Sequence, residues 1–174
     1  MNTNLETSLH RLNSLPAEEA QNELLKCCGS REWSRLMVAA RPFSSFEELT
    51  GKADHIWWSL APNDWLEAFH SHPKIGEKKA AATTSEQSRR WSEAEQAGVN
   101  DAASETLQSL ADLNARYEEK FGYIFIVCAS GKGPAEMLQI LRARLENPAD
   151  EELRNAATEQ ARITQLRLKK LIDS

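Results

Sequence analysis

The sequence of 174 residues predicts an all-α fold, a single-domain bundle of about seven to nine helices. Helix start and stop signals recur along the chain, with Ser, Pro and acidic residues ahead of apolar stretches and Gly or Pro behind them. One run, Tyr123–Ser130, has strand-like composition, and a lone strand cannot satisfy its backbone hydrogen bonds. The length is typical of one domain, so we assign residues 1–174 to a single domain.

The first half of the chain contains four segments with helical signals. One helix is predicted after Ser14, a suitable N-cap, and Pro16, a suitable first-turn residue, with Gly29 as its C-terminal cap. A second helix follows at once in SREWSRLMVAA. A third begins at Ser45, and a short fourth helix follows Pro62. The short joints between them are typical of helical bundles.

The second half combines a polar stretch with three clearer elements. Residues 80–100 have good helical propensity but a thin apolar face. In residues 102–121 apolar side chains recur every three or four positions, an amphipathic helix that Gly122 ends. The strand-like run is predicted to be a buried segment that joins the helices, with a helix as one option for it. Pro134 then starts a helix, and the last helix covers about Ala149–Ile172.

Composition and charge narrow the function classes. The formal net charge is -5, with 41% hydrophobic and 27% charged residues, an ordinary globular balance. A mildly acidic chain is a poor candidate for binding nucleic acid or an anionic membrane, because both require a clustered basic face. No apolar run approaches the ~20 residues of a membrane span, and the N-terminus lacks a secretory pattern. We therefore expect no nucleic-acid partner and no membrane partner.

The cysteines indicate a reducing compartment. Cys27, Cys28 and Cys128 form an odd set without CxxC spacing, which argues against a disulfide framework or a zinc knuckle. Free thiols suit a reducing environment, so we expect a cytoplasmic protein. No glycine-rich nucleotide or phosphate motif is present in the sequence.

Two histidines, His70 and His72, lie one residue apart in FHSHPKIGE. The pair resembles the HxH of metal-dependent hydrolases, but the chain is too short for their barrel of ~250 residues, and positions i and i+2 of a helix do not face each other. A structural role is the alternative, with His70 at a helix end and Gly76 in a turn. Because a residue before proline is held extended, the ring of His72 is aimed, which favours His72 as the acid/base.

Arg167 stands at the centre of an apolar stripe on the last predicted helix. An unpaired buried charge costs several kcal/mol by order of magnitude, so this guanidinium needs a partner or an exit to water. Three interpretations stay open: a buried ion pair with a glutamate, an arginine that extends to the surface, and an arginine whose planar fork binds a carboxylate ligand.

The stretch WSEAEQAGV has two interpretations. Ser92 and Glu95 have the S-x-x-E spacing of a helix capping box, which the sequence favours slightly. Alternatively, Glu95 and Gln96 point inward as acceptor and donor for a polar ligand.

Four segments occur in one order along nearly the whole chain: SHPKIGE, WSEAEQAGV, YEEKFGYIFIVCASGK and ITQLRL. Ahead of them, SFEELTGKADHIWWSL provides a tryptophan-containing region before the histidine. Together they resemble the 2-oxo-4-hydroxy-4-carboxy-5-ureidoimidazoline (OHCU) decarboxylases of urate breakdown. Each segment is weak alone, whereas four of them in order and at similar separations are specific.

The resemblance implies a helical, homodimeric enzyme without metal or organic cofactor that converts OHCU to (S)-allantoin, the third step from urate to allantoin. It places the catalytic residues at His72, Glu95 and Arg167. The substrate-binding residues that it implies are Pro73, Ser92, Glu93, Ala94, Gln96, Phe125, Ile126, Val127, Cys128 and Ala129. A non-catalytic helical module that binds a small purine-derived anion is the alternative.

Overall fold

The computed structural model describes residues 3–75, 85–95 and 104–173. Within these ranges the chain forms nine helices and no strand, which confirms the predicted all-α fold. None of the helices in the described ranges is long and apolar enough to cross a bilayer. The helices are α1 Thr3–Ser14, α2 Ala17–Cys27, α3 Arg31–Ala39, α4 Phe46–Ser59, α5 Pro62–His70, α6 Glu86–Glu95, α7 Ser104–Phe121, α8 Pro134–Leu145 and α9 Ala149–Asp173.

The chain divides into two compact units. The first contains the described residues up to Ala68 together with those from Ala161 onward, and the second is Phe69–Gln160. The divisions fall inside α5 and inside α9. Each unit has buried apolar residues of its own, such as Trp33 in the first and Tyr117 in the second.

Most predicted helix ends are confirmed, and those of α2 are not. The hydroxyl of Ser45 accepts a hydrogen bond from the Glu48 N–H at 3.1 Å, as expected of an N-cap. Ser14, however, is the last residue of α1, and its hydroxyl donates to the carbonyl of His10. The N-cap of α2 is therefore Pro16, and its C-cap is Cys28 rather than Gly29. A serine inside a helix end bonds backward to its own turn and cannot cap the next helix.

In the first unit, a buried tryptophan and an arginine link the helices by donating hydrogen bonds to backbone carbonyls. The indole of Trp33 donates to the carbonyl of Ala53 at 3.1 Å, which attaches α3 to α4. Arg41 donates to the carbonyls of Leu12 and Leu15 at 2.8 Å each, near the C-terminal end of α1. The last carbonyls of a helix have no partner within it, so this guanidinium satisfies groups that would otherwise need water.

In the second unit, a buried segment, Tyr123–Ala129, follows α7 and is neither helix nor strand. Gly122 introduces it at φ +80°, a conformation that glycine adopts without steric cost. The predicted burial is confirmed, while the helix considered as an option does not form. Side chains, and not a second strand, form hydrogen bonds with its backbone groups. Arg144 donates to the Ile126 carbonyl, and the Cys128 N–H donates to Glu159.

Arg144 belongs to a buried polar cluster of the second unit. Its Nε lies 2.6 Å from Oε1 of Glu152, which is completely buried. The hydroxyl of Tyr117 donates to the same oxygen, and burial raises the pKa of Tyr117. The guanidinium also stacks over the ring of Phe125, 4.7 Å from its centroid. The cluster thereby links α7, α8 and α9 to the buried segment.

Candidate functional site

His72 lies just beyond α5, in the second unit, and its ring is half-buried. Its backbone N–H donates to the carbonyl of Phe69 at 3.2 Å, and Pro73 restricts its backbone from the other side. The ring nitrogen Nε2 lies 2.7 Å from Oε1 of Gln160 on α9. His72 is therefore held both at its backbone and at the far end of its ring. This agrees with the expectation that its imidazole has a fixed direction.

Gln160 was not predicted from the sequence. It is completely buried, and it stands seven residues, or about two helical turns, before Arg167. A polar residue at a buried position of an amphipathic helix is the same signal that singled out Arg167. Applying that criterion to every polar residue of the apolar face would have found it.

His70 is the last residue of α5 and is exposed, which confirms its assignment to a helix end. The other two histidines, His10 and His55, are exposed on α1 and α4. Over the described ranges, no group of three His, Cys, Asp or Glu side chains could hold a metal ion.

The four described residues of the S-x-x-E-Q motif lie in the last turns of α6, so the capping-box interpretation is wrong. Ser92 is buried inside the helix, and its hydroxyl donates to the carbonyl of Ser88 at 3.0 Å. Glu93 and Ala94 are exposed, whereas Glu95 is half-buried. The remaining motif residue, Gln96, and the predicted turn residue Gly76 lie outside the described residues.

Cys128 lies in the buried segment, near charged side chains that include Glu95. Its backbone N–H donates to Oε2 of Glu159 at 2.7 Å, and its carbonyl accepts from Nζ of Lys132 at 2.9 Å. Burial raises the pKa of its thiol, an effect that the charge of Lys132 opposes and those of Glu159 and Glu95 reinforce. The carboxylate of Glu95 thus lies close enough to act electrostatically on the segment.

Arg167 lies in the first unit and is 3% exposed, so the interpretation that it extends to the surface is wrong. Its Nη1 donates to the Lys26 carbonyl at 3.4 Å, at the C-terminal end of α2, where a helix carries partial negative charge. Burial raises the pKa values of the neighbouring Cys27 and Cys28 thiols, and the positive charge of Arg167 opposes both shifts. His72, Glu95 and the buried segment belong to the second unit.

Comparisons with known proteins agree with the motifs. The profile of the OHCU decarboxylase family matches residues 13–169. The uric acid degradation bifunctional protein TTL of Arabidopsis thaliana is 41% identical over 155 residues, 88% of this chain and 48% of that protein. The 2-oxo-4-hydroxy-4-carboxy-5-ureidoimidazoline decarboxylase of Amia calva is 30% identical over 172 residues, 94% of each chain. This chain spans less than half the length of the bifunctional relatives that it matches.

Solved structures give the same result for the fold. A crystal structure of OHCU decarboxylase in the presence of (S)-allantoin is similar with a TM-score of 0.75 and 39% identity, covering 87% of this chain and 98% of that chain. The family match begins in α1 and ends in α9, so it includes His72, the S-x-x-E-Q motif, the buried segment and Arg167. The chain therefore belongs to the OHCU decarboxylase family.

Proposed function

We propose that this protein decarboxylates OHCU to (S)-allantoin in the degradation of urate. The observation that carries the proposal is the position of His72. It occupies the H-P motif on which the resemblance to the family rests, and its ring is held by Gln160 at 2.7 Å. The related bifunctional proteins are named for uric acid degradation, and a similar solved structure was determined with (S)-allantoin.

The substrate's own structure supports a reaction without a cofactor. When the carboxylate leaves as CO₂, its electron pair must be accepted elsewhere. OHCU carries a C=N bond next to the carbon that bears the carboxylate and the hydroxyl, and this bond accepts the pair. The ring nitrogen that receives the pair takes up a proton, and protonation of the neighbouring carbon, with loss of the hydroxyl proton, then gives the ring amide carbonyl of allantoin. We therefore propose a cofactor-independent carboxy-lyase, since the electron sink that cofactors provide elsewhere is already present.

In this proposal His72 moves the proton. Histidine titrates near neutral pH, so its ring can take up and release a proton under working conditions. Delivery to one face of a planar carbon sets the configuration of the product, and this requires a ring with a fixed orientation. The contacts of His72 with Phe69 and Gln160 supply such an orientation.

Glu95 and its neighbours are proposed to bind the polar edge of the substrate. Glu95 would hold His72 or accept hydrogen bonds from the ring hydroxyl and N–H groups. We assign substrate binding also to Pro73 and to the motif residues Ser92, Glu93, Ala94 and Gln96. The residues Phe125, Ile126, Val127, Cys128 and Ala129 would keep the site dry and present backbone groups to the ureido chain, which strengthens polar contacts there.

Arg167 is proposed to bind an anionic or carbonyl oxygen of the substrate. A guanidinium forms charge-assisted hydrogen bonds with such oxygens in a fixed planar geometry. Its burial favours this role, because a low-polarity environment strengthens the interaction of a charge with its partner.

The decisive experiment follows the product optically. OHCU is unstable, so it is generated fresh from urate with the two preceding enzymes, and (S)-allantoin is recorded by circular dichroism with and without this protein. We expect faster formation of the S enantiomer in its presence. If the protein leaves the rate unchanged, the proposed activity is wrong, and binding of allantoin without turnover would instead support a non-catalytic module.

We further propose that the chain acts as one domain, as a homodimer, in the cytoplasm. The family match across both compact units supports one functional domain, and the three buried free thiols suit a reducing compartment. Light scattering should give twice the chain mass of 19.6 kDa. A mass of one chain across the working concentration range would refute the dimer.

A further inference from the structure

We propose that Gln160 is a positioning residue that holds His72 in the tautomer protonated at Nε2, so that Nδ1 is the nitrogen that exchanges the reaction's proton. The inference rests on the proposed function insofar as His72 is the acid/base. The contact itself, 2.7 Å between Nε2 of His72 and Oε1 of Gln160, does not depend on that function.

The burial of Gln160 makes the loss of its hydrogen bonds costly. Its side chain is completely inaccessible to solvent, and an amide placed in the interior without partners costs about 1–3 kcal/mol per lost bond. An amide oxygen can only accept hydrogen bonds, so the proton between the two atoms belongs to Nε2 of His72. In the neutral imidazole one nitrogen donates and the other accepts, which leaves the lone pair on Nδ1.

A neutral partner suits a ring that must change its charge. A carboxylate at this position would favour the imidazolium and resist its deprotonation. The amide of Gln160 accepts the same hydrogen bond without a charge, so the ring can gain and lose a proton at Nδ1 while its orientation stays constant. The preceding residue of α9, Glu159, does carry a charge, and its carboxylate binds the Cys128 N–H instead.

The two neighbouring residues of α9 therefore hold different parts of the second unit. Glu159 fixes the buried segment through the N–H of Cys128, and Gln160 fixes the ring of His72. Because Glu159 and Gln160 are consecutive residues of α9, the same helix positions both the buried segment and the ring of His72. Groups that orient a reacting side chain in this way are needed for productive geometry.

The test measures the tautomer directly, by nitrogen-15 NMR of the histidine side chains at about pH 8.5, where an ordinary histidine is neutral. The protein has four histidines, and His72→Asn identifies the signal of His72. In the unmodified protein we expect protonation at Nε2. In Gln160→Leu we expect a mixture of tautomers, while Gln160→Glu, which retains an acceptor oxygen, keeps the proton on Nε2.

Gln165→Leu is the matched control, the same substitution on the same helix. Gln165 donates to the Thr50 carbonyl at 3.1 Å and to Asp54 at 2.9 Å. Its loss should leave the His72 tautomer and kcat unchanged. Gln160→Leu should lower kcat by about tenfold or more with a smaller change in KM, because it disturbs proton transfer rather than binding.

Two results would overturn the inference. One is protonation of His72 at Nδ1 in the unmodified protein, which requires no variant to observe. The other is a folded Gln160→Leu protein with the original tautomer and kcat. Failure of the proposed function is a separate outcome, recognised when the unmodified protein shows the Nε2–H tautomer but does not accelerate (S)-allantoin formation.

Discussion

Arg144 and Glu152 form an ion pair in the interior of the second unit, with Nε of Arg144 2.6 Å from Oε1 of Glu152. Each partner holds further groups, since the guanidinium also donates to the Ile126 carbonyl and the carboxylate accepts from Tyr117. Removing one side of such a pair leaves the other charge buried without compensation.

We expect Arg144→Met to lower the free energy of unfolding by about 3–5 kcal/mol, the usual cost of breaking a buried pair from one side. Urea denaturation followed by circular dichroism measures this difference. Arg142→Met, an exposed position on the same helix, is the control and should change stability by less than about 0.5 kcal/mol. Equal effects of the two substitutions would mean that the ion pair does not organise the unit.

The two histidines of FHSHPKIGE should differ sharply in their importance for catalysis. His72→Ala removes the group proposed to move the proton, and we expect kcat to fall by about 100-fold or more. His70→Ala changes an exposed residue at the end of α5 and should retain most activity. Both are measured by the rate of (S)-allantoin formation. Greater loss in the His70 variant would reverse the assignment.

Arg167→Lys tests whether the planar guanidinium binds substrate. Lysine preserves the charge but not the paired donors, so we expect kcat/KM to fall by about tenfold or more while the protein stays folded. Lys169→Ala, an exposed position two residues along α9, should leave activity unchanged. An Arg167→Lys protein with normal kcat/KM would restrict Arg167 to its structural contact with the Lys26 carbonyl.

Replacement of two glycines by alanine should have opposite effects on stability. Gly122 ends α7 at φ +80°, where a side chain is strained, so Gly122→Ala should destabilise the protein by about 1–2 kcal/mol. Gly51 lies within α4 with open space around its Cα, so Gly51→Ala should stabilise by about 0.5–1 kcal/mol. Thermal and urea unfolding give both values. A stabilising Gly122→Ala would contradict a positive φ at this position.

Alkaline pH should destabilise the first unit through Cys28. Burial raises the pKa of this thiol from 9.0 to about 12, so between these values the unfolded chain has lost a proton that the folded chain retains. Stability therefore falls as pH rises through this window, by up to about 1.4 kcal/mol per pH unit for the thiol. Cys28→Ala should lack this contribution, so its stability relative to the unmodified protein should improve between pH 9 and 10. A constant difference would contradict the prediction.

The sequence by itself predicted the all-α fold and most helix ends, and it singled out His72 as a candidate. Ser45, Pro134 and Gly122 mark helix ends through local backbone chemistry, which acts over a few residues and is therefore readable without the fold. The same locality explains His72, because the proline that restricts it is its neighbour. The assumed caps at Ser14 and Ser92 were wrong because both serines lie inside helices, Ser14 at the end of α1 and Ser92 within α6.

Only the tertiary structure decided what holds these residues in place. Gln160 lies 88 positions from His72, and Glu159 lies 31 positions from Cys128. The strand-like segment forms no strand, because Arg144 and Glu159 satisfy backbone groups that a sheet would otherwise pair. Such contacts depend on which helix faces meet, and local propensity contains no information about that. The sequence thus indicated His72 as the proposed acid/base, and the fold placed Gln160 against its ring.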